Sequence, residues 1–254
     1  MNKNYLIKIL KGIFAIWHRE FKVFQREKSR VISSIFLPLF WYFTFGWGIG
    51  TVTNIDTNYR HFIFPGFLVM TIIFSSIFNG VYIIWDKKMD FLKEVLISPL
   101  SRNTIFIGKV LGNMTDALLQ SYILLIIGIF LKMPYTIKSF ILTMLILFIF
   151  AAGLVSLGLI IGSFMESPEG FGLVSSFVIY PIFLLSGALY PIERLPQWFK
   201  IFVYFNPATY AIDAIRYVII GKSAINLFID ISVILMVDLF LIILGTFAFN
   251  KIKL

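Results

Sequence analysis

Two carboxylates come nearest in this sequence to a spacing that permits acid–base chemistry. Glu166 and Glu169 stand on either side of Pro168 in a short polar segment between apolar stretches. Neighbouring carboxyl groups can divide the roles of general acid and general base. The nearby sequence supplies no third ionisable partner, so we interpret the pair as a solvated or partner-facing turn.

The other reactive residue types form no recognised catalytic or metal motif. His18 and His61 are too far apart for a zinc motif, and the absence of cysteine excludes thiolate ligands and disulfides. The patterns G-x-S-x-G, H-E-x-x-H and G-x-x-x-x-G-K-[ST] are also absent from the sequence. We therefore expect no cofactor, metal or nucleotide to be bound by this chain itself.

Composition places the chain in a membrane. Of its 254 residues, 59% are hydrophobic and 14% are charged, whereas soluble domains are roughly 45–50% apolar. The net charge of +9 could indicate nucleic acid, but in so apolar a chain we favour basic flanks beside anionic lipid. We expect no nucleic-acid partner.

Hydropathy predicts an all-α integral membrane protein, treated as one domain over 1–254, with six transmembrane helices of about 20 residues each. The predicted spans are 31–53, 62–84, 111–131, 137–164, 171–190 and 227–249. Asp238 is the carboxylate nearest the middle of a span, and we favour a polar contact in the helix bundle over a proton relay. Gly158 and Gly162 form a small-xxx-small pattern, which predicts close helix packing.

The first thirty residues predict an amphipathic helix on the membrane surface, because apolar residues recur at helical spacing from Leu6 to Phe24. Lys and Arg are concentrated in 1–30 and 85–110. The side holding these segments and both termini should therefore be cytoplasmic.

The segment 191–221 predicts two short re-entrant or interfacial helices on the outer side. Pro191 and Pro196 interrupt any continuing helix. Asn206 and Pro207 form a helix start, and Gly221 a stop, so the second helix should cover about residues 207–220.

The segment 85–104 predicts a short cytoplasmic helix. Asp86 is placed to cap it, Met89, Leu92 and Leu96 are expected on one face, and Pro99 should end it. Such a helix suits docking of a soluble partner, although a solvated connector is the simpler alternative.

Two segments resemble one family. The run from Leu185-Ser-Gly-Ala-Leu-Tyr-Pro191 through Asn206-Pro-Ala-Thr-Tyr to Gly221 is similar to the closing segment of ABC-2 type permeases, nearest the daunorubicin-resistance and nodulation-factor export branch. Upstream, Leu96-Ile-Ser-Pro-Leu-Ser-Arg102 followed by Gly108-Lys-Val matches in the same order.

The resemblance implies where this chain would meet its partners and release its substrate. The segment before Pro99 would dock on an ATPase, with Glu94 where the family usually has a carboxylate, although Phe91-Leu-Lys departs from the common Gly-Thr-Leu type. The expected coupling residues are Asp86, Asp90, Glu94, Pro99, Arg102, Glu166 and Glu169. The gate is a separate hypothesis from the helix-breaking residues near the outer end of the fifth span; the expected gate and exit residues are Tyr180, Pro181, Ser186, Gly187, Pro191, Pro196, Asn206, Pro207, Asp213 and Arg216.

The implied assembly is a homodimer with two separate ABC ATPase subunits, which would use ATP and Mg²⁺, in the plasma (inner) membrane. The implied function is outward movement of amphipathic drugs or lipid-like molecules. Export of lipid-linked or free oligosaccharide or polysaccharide is the alternative within the family. An ATP-independent carrier or channel is the rival from another class, and an intramembrane enzyme is disfavoured by the missing catalytic groups.

Overall fold

The computed structural model describes residues 3–48, 59–98 and 100–251, and every regular element in these ranges is helical. The predicted all-α class is therefore confirmed. The helices are α1 (Lys3–Arg26), α2 (Lys28–Gly48), α3 (Tyr59–Phe78), α4 (Val81–Lys88), α5 (Phe91–Ile97), α6 (Arg102–Phe130), α7 (Ile137–Phe164), α8 (Pro168–Leu184), a 3₁₀ turn (Ile192–Arg194), α9 (Gln197–Phe205), α10 (Pro207–Ile220) and α11 (Leu227–Asn250).

Five stretches of the described chain have the length and apolar composition of membrane-spanning helices. They are Val31–Gly48, Tyr59–Lys88 (α3 with α4), Arg102–Phe130, Ile137–Phe164 and Leu227–Asn250. The predicted span 171–190 corresponds to α8, which has 17 residues. At 1.5 Å per residue α8 is about 26 Å long, somewhat less than the roughly 30 Å hydrocarbon core. The chain turns after Leu184, which hydropathy did not show.

The helices differ strongly in burial. The apolar window of α3–α4 is 78% buried, whereas those of α2 and α11 are each 17% buried. Helix α7 packs against α11, α3, α6 and α10. The core is thus built around α3 and α7, and α2 and α11 leave broad apolar faces for lipid or a second chain.

Glycines bring α7 close to the junction between α3 and α4. A Cβ atom added to Gly158 would lie 2.6 Å from the carbonyl oxygen of Ile77, and one on Gly162 would collide with the carbonyl of Gly80. The predicted packing role of Gly158 and Gly162 is confirmed. The buried Asp238 likewise packs against Gly153 of α7, as expected for a polar contact inside the bundle.

The N-terminal helix α1 lies along α6. A Cβ on Gly108 would lie 2.7 Å from Cβ of Ile16, so this glycine permits the close approach. Two apolar side chains of α1, Leu10 and Phe14, are 62% and 61% exposed. An exposed apolar face is typical of a helix lying in the membrane interface. The predicted segment 1–30 is divided, since α1 ends at Arg26 and α2 begins at Lys28.

Candidate coupling and exit sites

The predicted coupling segment folds as a turn and a short helix below the second span. Helix α4 continues to Lys88, and the chain then turns at Asp90, whose φ of 56° is left-handed, before α5 begins at Phe91. The prediction that Asp86 caps this helix is wrong, because Asp86 lies inside α4 and Asp90 occupies the cap position. Asp90 makes no side-chain capping hydrogen bond. Aspartate tolerates the left-handed region better than most residues.

Helix α5 has a buried and an exposed face. Leu92 and Val95 are buried, whereas Glu94 is exposed and Ile97 is 80% exposed. Met89, expected beside Leu92, is instead 72% exposed, because it precedes the turn and does not share the helical phase of α5. The side chain of Leu96 and the whole of Pro99 lie outside the part of the chain that the structure describes. Their expected roles in the coupling segment therefore stay predictions.

We call the exposed set Met89, Asp90, Glu94 and Ile97 the coupling tip. It combines two carboxylates with two apolar side chains on a surface of a few residues. Such a mixture suits a protein interface, where an apolar contact is bordered by charged groups.

Four charged side chains, the buried Glu20, Asp86 and Lys109 and the half-buried Arg19, form a cluster behind the coupling tip. Lys109 Nζ donates to Asp86 Oδ2 at 2.5 Å and to Glu20 Oε1 at 2.9 Å. Arg19 Nη1 donates to Glu20 Oε1 at 2.8 Å and to Asp86 Oδ2 at 3.1 Å. We call Arg19, Glu20, Asp86 and Lys109 the ion cluster. Its two cations and two carboxylates are balanced in charge.

The ion cluster changes the interpretation of Asp86. Only 3% of Asp86 is exposed, so its carboxylate is used inside the chain and does not lie on the docking surface predicted for it. Buried ions are tolerated when they are paired and hydrogen-bonded. Asp86 therefore positions the coupling segment, and the coupling tip supplies the exposed carboxylates.

Arg19 extends the ion cluster to α5. Burial favours its neutral form, but the hydrogen bonds and charges of Asp86 and Glu20 outweigh burial and raise the pKa of the Arg19 guanidinium above its ordinary value. The same guanidinium lies 4.2 Å from the centre of the Phe91 ring, within cation–π range. One arginine thus joins α1 to both α4 and α5.

The remaining predicted coupling residues lie apart from the ion cluster. Arg102 Nη1 donates to the carbonyl oxygen of Asn250 at 2.6 Å, so Arg102 ties α6 to the end of α11 within the chain. Glu166 and Glu169 are exposed. Ser167 caps α8 by accepting a hydrogen bond from the Gly170 amide at 3.1 Å, which places Glu169 in the first turn, where a carboxylate is favourable.

At the other end of the chain, the predicted second short helix is confirmed. Helix α10 covers Pro207–Ile220, with Pro207 at its first position and Gly221 left-handed at φ 70°. Asn206 Oδ1 accepts from the Ala208 amide at 3.0 Å, and its Nδ2 donates to the carbonyl of Ile182 at 2.6 Å. Asn206 therefore starts α10 and also attaches it to α8.

Helix α9 is short and turns its apolar face outward. Trp198, Phe202 and Phe205 are 65%, 55% and 87% exposed, and Val203 is fully buried. With nine residues, α9 is far too short to span a bilayer. Exposed aromatic side chains on such a helix are typical of the headgroup boundary, and the interfacial position of α9 stays a prediction.

Asp213 and Arg216 fix α10 to its neighbours. Asp213 accepts hydrogen bonds from the amides of Ala224 at 3.0 Å and Ile225 at 2.8 Å, which holds the loop before α11. Arg216 Nη2 donates to the carbonyl of Gly187 at 3.0 Å, and its guanidinium lies 3.9 Å from the Phe62 ring centre.

Burial dominates the electrostatics of this pair. It raises the pKa of Asp213, although the amides of Ala224 and Ile225 oppose the shift. It lowers the pKa of Arg216 to about 10, with Asp213 and Glu193 opposing. Arg216 is therefore protonated at neutral pH, as its hydrogen bond to the Gly187 carbonyl requires.

The predicted gate residues surround the end of α8. Tyr180 packs edge-to-face on Phe74, with ring centres 5.9 Å apart, and Pro181 lies inside the helix. Ser186 Oγ donates to the Phe183 carbonyl at 2.5 Å. Gly187 has a φ of 69°, a conformation that most residues avoid.

Two prolines shape the connection from this turn to α9. Pro191 immediately precedes the 3₁₀ turn, and Pro196 immediately precedes α9. Both prolines lie where the sequence predicts that a helix is interrupted, and the backbone is extended at each of them.

Together these elements define a class of protein. The chain is a multi-pass helical membrane protein with a short helical handle at one end of its second span and two short, non-spanning helices before its last span. Residues 11–220 match the family model described as ABC-2 type transporter. The chain belongs to this family, which confirms the family-level resemblance, while the proposed branch stays a prediction.

Named permeases are among its relatives. The chain is 27% identical to the protein of Cyanophora paradoxa named "Putative transport permease ycf38" over 216 residues, covering 82% of this chain and 74% of the relative. It is 26% identical to the inner membrane transport permease YadH of Escherichia coli (strain K12) over 217 residues, or 84% of each chain. It is 28% identical over 179 residues to the same organism's YbhR, named a probable multidrug ABC transporter permease, covering 68% of this chain and 48% of YbhR.

Proposed function

We propose that this chain is the membrane-spanning subunit of an ATP-driven exporter that moves amphipathic drug or lipid-like molecules outward. The observation that carries the proposal is the exposed coupling tip on a base fixed by the ion cluster. A docking surface transmits movement only if its base is rigid, and here α1, α4 and α6 share one hydrogen-bonded cluster. The name of YbhR supports a drug-like substrate.

The proposed assembly is a homodimer with two copies of a separate ABC ATPase. ATP and Mg²⁺ would be bound by the ATPase, and this chain would supply half of the pathway. The low burial of α2 and α11 supports a second copy on part of this apolar surface, with lipid covering the remainder. The coupling tip would face the ATPase, and Glu166 and Glu169 would contact the ATPase as well.

The proposed site of release is the outer end of α8 with α9 and α10. Asn206 donates to the carbonyl of Ile182 in α8, and Arg216 donates to that of Gly187 in the turn after α8, so α10 and this end of α8 would move together. Gly187, in a left-handed conformation, and Pro181 would allow the bend, with Tyr180 and Ser186 on either side of it.

The proposed location is the inner membrane, with both termini in the cytoplasm. The name of YadH supports the membrane assigned. The excess of Lys and Arg in 1–30 and 85–110 supports the orientation.

Reconstitution tests the proposal. The permease would be co-purified with a candidate Walker-motif ATPase partner and placed in proteoliposomes with a fluorescent amphipathic drug. We expect efflux that requires ATP and that stops when the ATPase carries a Glu→Gln change at its catalytic base. Efflux driven by a proton gradient without ATP would establish the carrier alternative instead. ATP-driven export of oligosaccharide but not of drug would correct the substrate alone.

A further inference from the structure

A cavity of about 300 Å³ lies between α2, α3 and α6. Its walls are mainly apolar and include Leu37 and Pro38 of α2 with Met70 and Phe74 of α3. Leu37 is 39% exposed and Phe78 is 37% exposed, so the cavity opens on the outer surface of the helix bundle. Its size lies at the lower end of the range for small-molecule sites.

Two polar side chains line this otherwise apolar cavity. Gln120 is fully buried and Ser75 is 5% exposed. Among the described residues, neither Gln120 Oε1 nor Ser75 Oγ has a hydrogen-bond partner. Buried polar atoms are nearly always paired, so two unpaired atoms on residues of α3 and α6 that line one cavity indicate that a further molecule completes them.

The neighbours of Gln120 define which hydrogen bond is missing. Its Nε2 donates to one oxygen of the Asp116 carboxylate, and Asn79 Nδ2 donates to the other at 2.9 Å. The reverse orientation of the Gln120 amide would face its oxygen towards a carboxylate, placing two acceptors together. Oε1 is therefore the atom left for a ligand, and it requires an O–H or N–H donor.

We propose that this cavity binds one amphiphile, with an apolar chain or ring against Leu37, Met70 and Phe74 and a hydroxyl or amine hydrogen donated to Gln120 Oε1. Ser75 Oγ makes the second polar contact. The inference deepens the proposed function, on which it rests, by defining the substrate class as amphiphiles with a hydrogen-bond donor beside the apolar body. Water could pair with Gln120 and Ser75 but gains nothing from the apolar walls.

Photolabelling tests the site with two matched probes. The full chain in lipid nanodiscs would be labelled with a diazirine-bearing dodecanol or with its methyl ether, which lacks the donor. We expect the alcohol to label peptides containing residues 33–38 and 70–78 with a half-saturating concentration about threefold to tenfold lower than the ether, since one net hydrogen bond separates them. Equal labelling by both probes would overturn the donor requirement.

Neighbouring serines supply a matched pair of variants. Ser76 is also buried with an unpaired hydroxyl, but the cavity is lined by Ser75. Ser75→Ala should weaken both probes about threefold, because the Ser75 hydroxyl donates to the oxygen that both probes carry, whereas Ser76→Ala should change neither. Equal effects of the two substitutions would mean that the site is wrong.

Occlusion of the cavity gives a second, independent variant. Ser34 lines the cavity and is half-buried, so Ser34→Phe should block labelling by both probes without removing the Gln120 network. Undiminished labelling would overturn the proposed position. Photolabelling needs no ATPase, so the two proposals can fail separately. If ATP-driven efflux is observed but the two probes label equally, the site is wrong and the proposed function stands. If the alcohol labels better than the ether but no ATP-driven efflux is observed, the proposed function is wrong and the site stands.

Discussion

Replacing Lys109 by methionine tests whether the ion cluster holds α1 to the coupling segment. Methionine preserves most of the length of the lysine stem and removes the ammonium. In the native chain, that ammonium contacts Asp86 at 2.5 Å and Glu20 at 2.9 Å. After the substitution, Arg19 alone would face both carboxylates, and the cluster would carry an uncompensated negative charge.

The expected cost follows from burial. Lys109, Asp86 and Glu20 are 2%, 3% and 5% exposed, so water cannot replace the lost cation. Removing one partner of a buried ion pair costs about 3–5 kcal/mol. The double variant Lys109→Met with Asp86→Asn leaves Arg19 paired with Glu20 and restores the charge balance. Its loss should therefore be smaller than the sum of the two single losses, by about 1–3 kcal/mol.

The assay is the free energy of unfolding of the full chain in mixed micelles, titrated with sodium dodecyl sulfate. Lys11→Met is the matched control, because Lys11 is an exposed lysine on α1, and it should change stability by less than about 0.5 kcal/mol. If Lys109→Met costs no more than Lys11→Met, the cluster does not hold these helices. Strictly additive losses in the double variant would show that the four charges act independently.

Three further predictions concern the coupling tip, the packing of α7 and the outer helices. Glu94→Ala should leave the permease folded but lower substrate-stimulated ATP hydrolysis and recovery of the ATPase complex. If the charge is desolvated at the interface, the binding free energy of the two subunits should weaken by about 2 kcal/mol or more. Wild-type values for both measurements would remove Glu94 from the docking surface. Gly158→Val should destabilise the chain by about 1–3 kcal/mol, because its Cβ would meet the Ile77 carbonyl at 2.6 Å, whereas Gly172→Val is the control, with nothing within 4 Å. In this cysteine-free chain, a cysteine at exposed position 197 should react with an impermeant thiol reagent from outside, and one at buried position 209 should not; labelling only from the cytoplasm would reverse the orientation.

Features encoded by adjacent residues could be predicted from the sequence. The start of α10 depends on Asn206 and Pro207, and its end on Gly221, and the structure has the helix over the predicted residues. Hydropathy predicted the five long spanning stretches because a bilayer demands long apolar segments, but it placed the end of α8 at 190 and not at Leu184. The spacing of four positions between Gly158 and Gly162 likewise predicted a packing face without knowledge of the partner helix.

Features that depend on distant residues could not be predicted. Arg19 and Asp86 are 67 positions apart, and Glu20 and Lys109 are 89 positions apart. From its neighbours in the sequence alone, Asp86 is placed to cap a helix. Those neighbouring residues do not indicate that Lys109 on α6 contacts it. Met89 was misplaced for a related reason, since one left-handed residue at Asp90 breaks the helical phase between α4 and α5.

The second span connects the ion cluster with the surroundings of Arg216. It covers Tyr59–Lys88, 30 residues. One end holds Asp86 in the ion cluster, and the opposite end places Phe62 against Arg216 and the Tyr59 hydroxyl 2.9 Å from the carbonyl of Leu189.

The helix is interrupted between these ends, where α3 stops at Phe78 and α4 begins at Val81. The close approach of Gly158 at this interruption leaves little space for α3 and α4 to bend independently of α7. We infer that a displacement of the coupling tip reaches Arg216 through α3, α4 and α7 moving together, since a hinge at the interruption would first have to separate α7 from the carbonyls of Ser76 and Ile77.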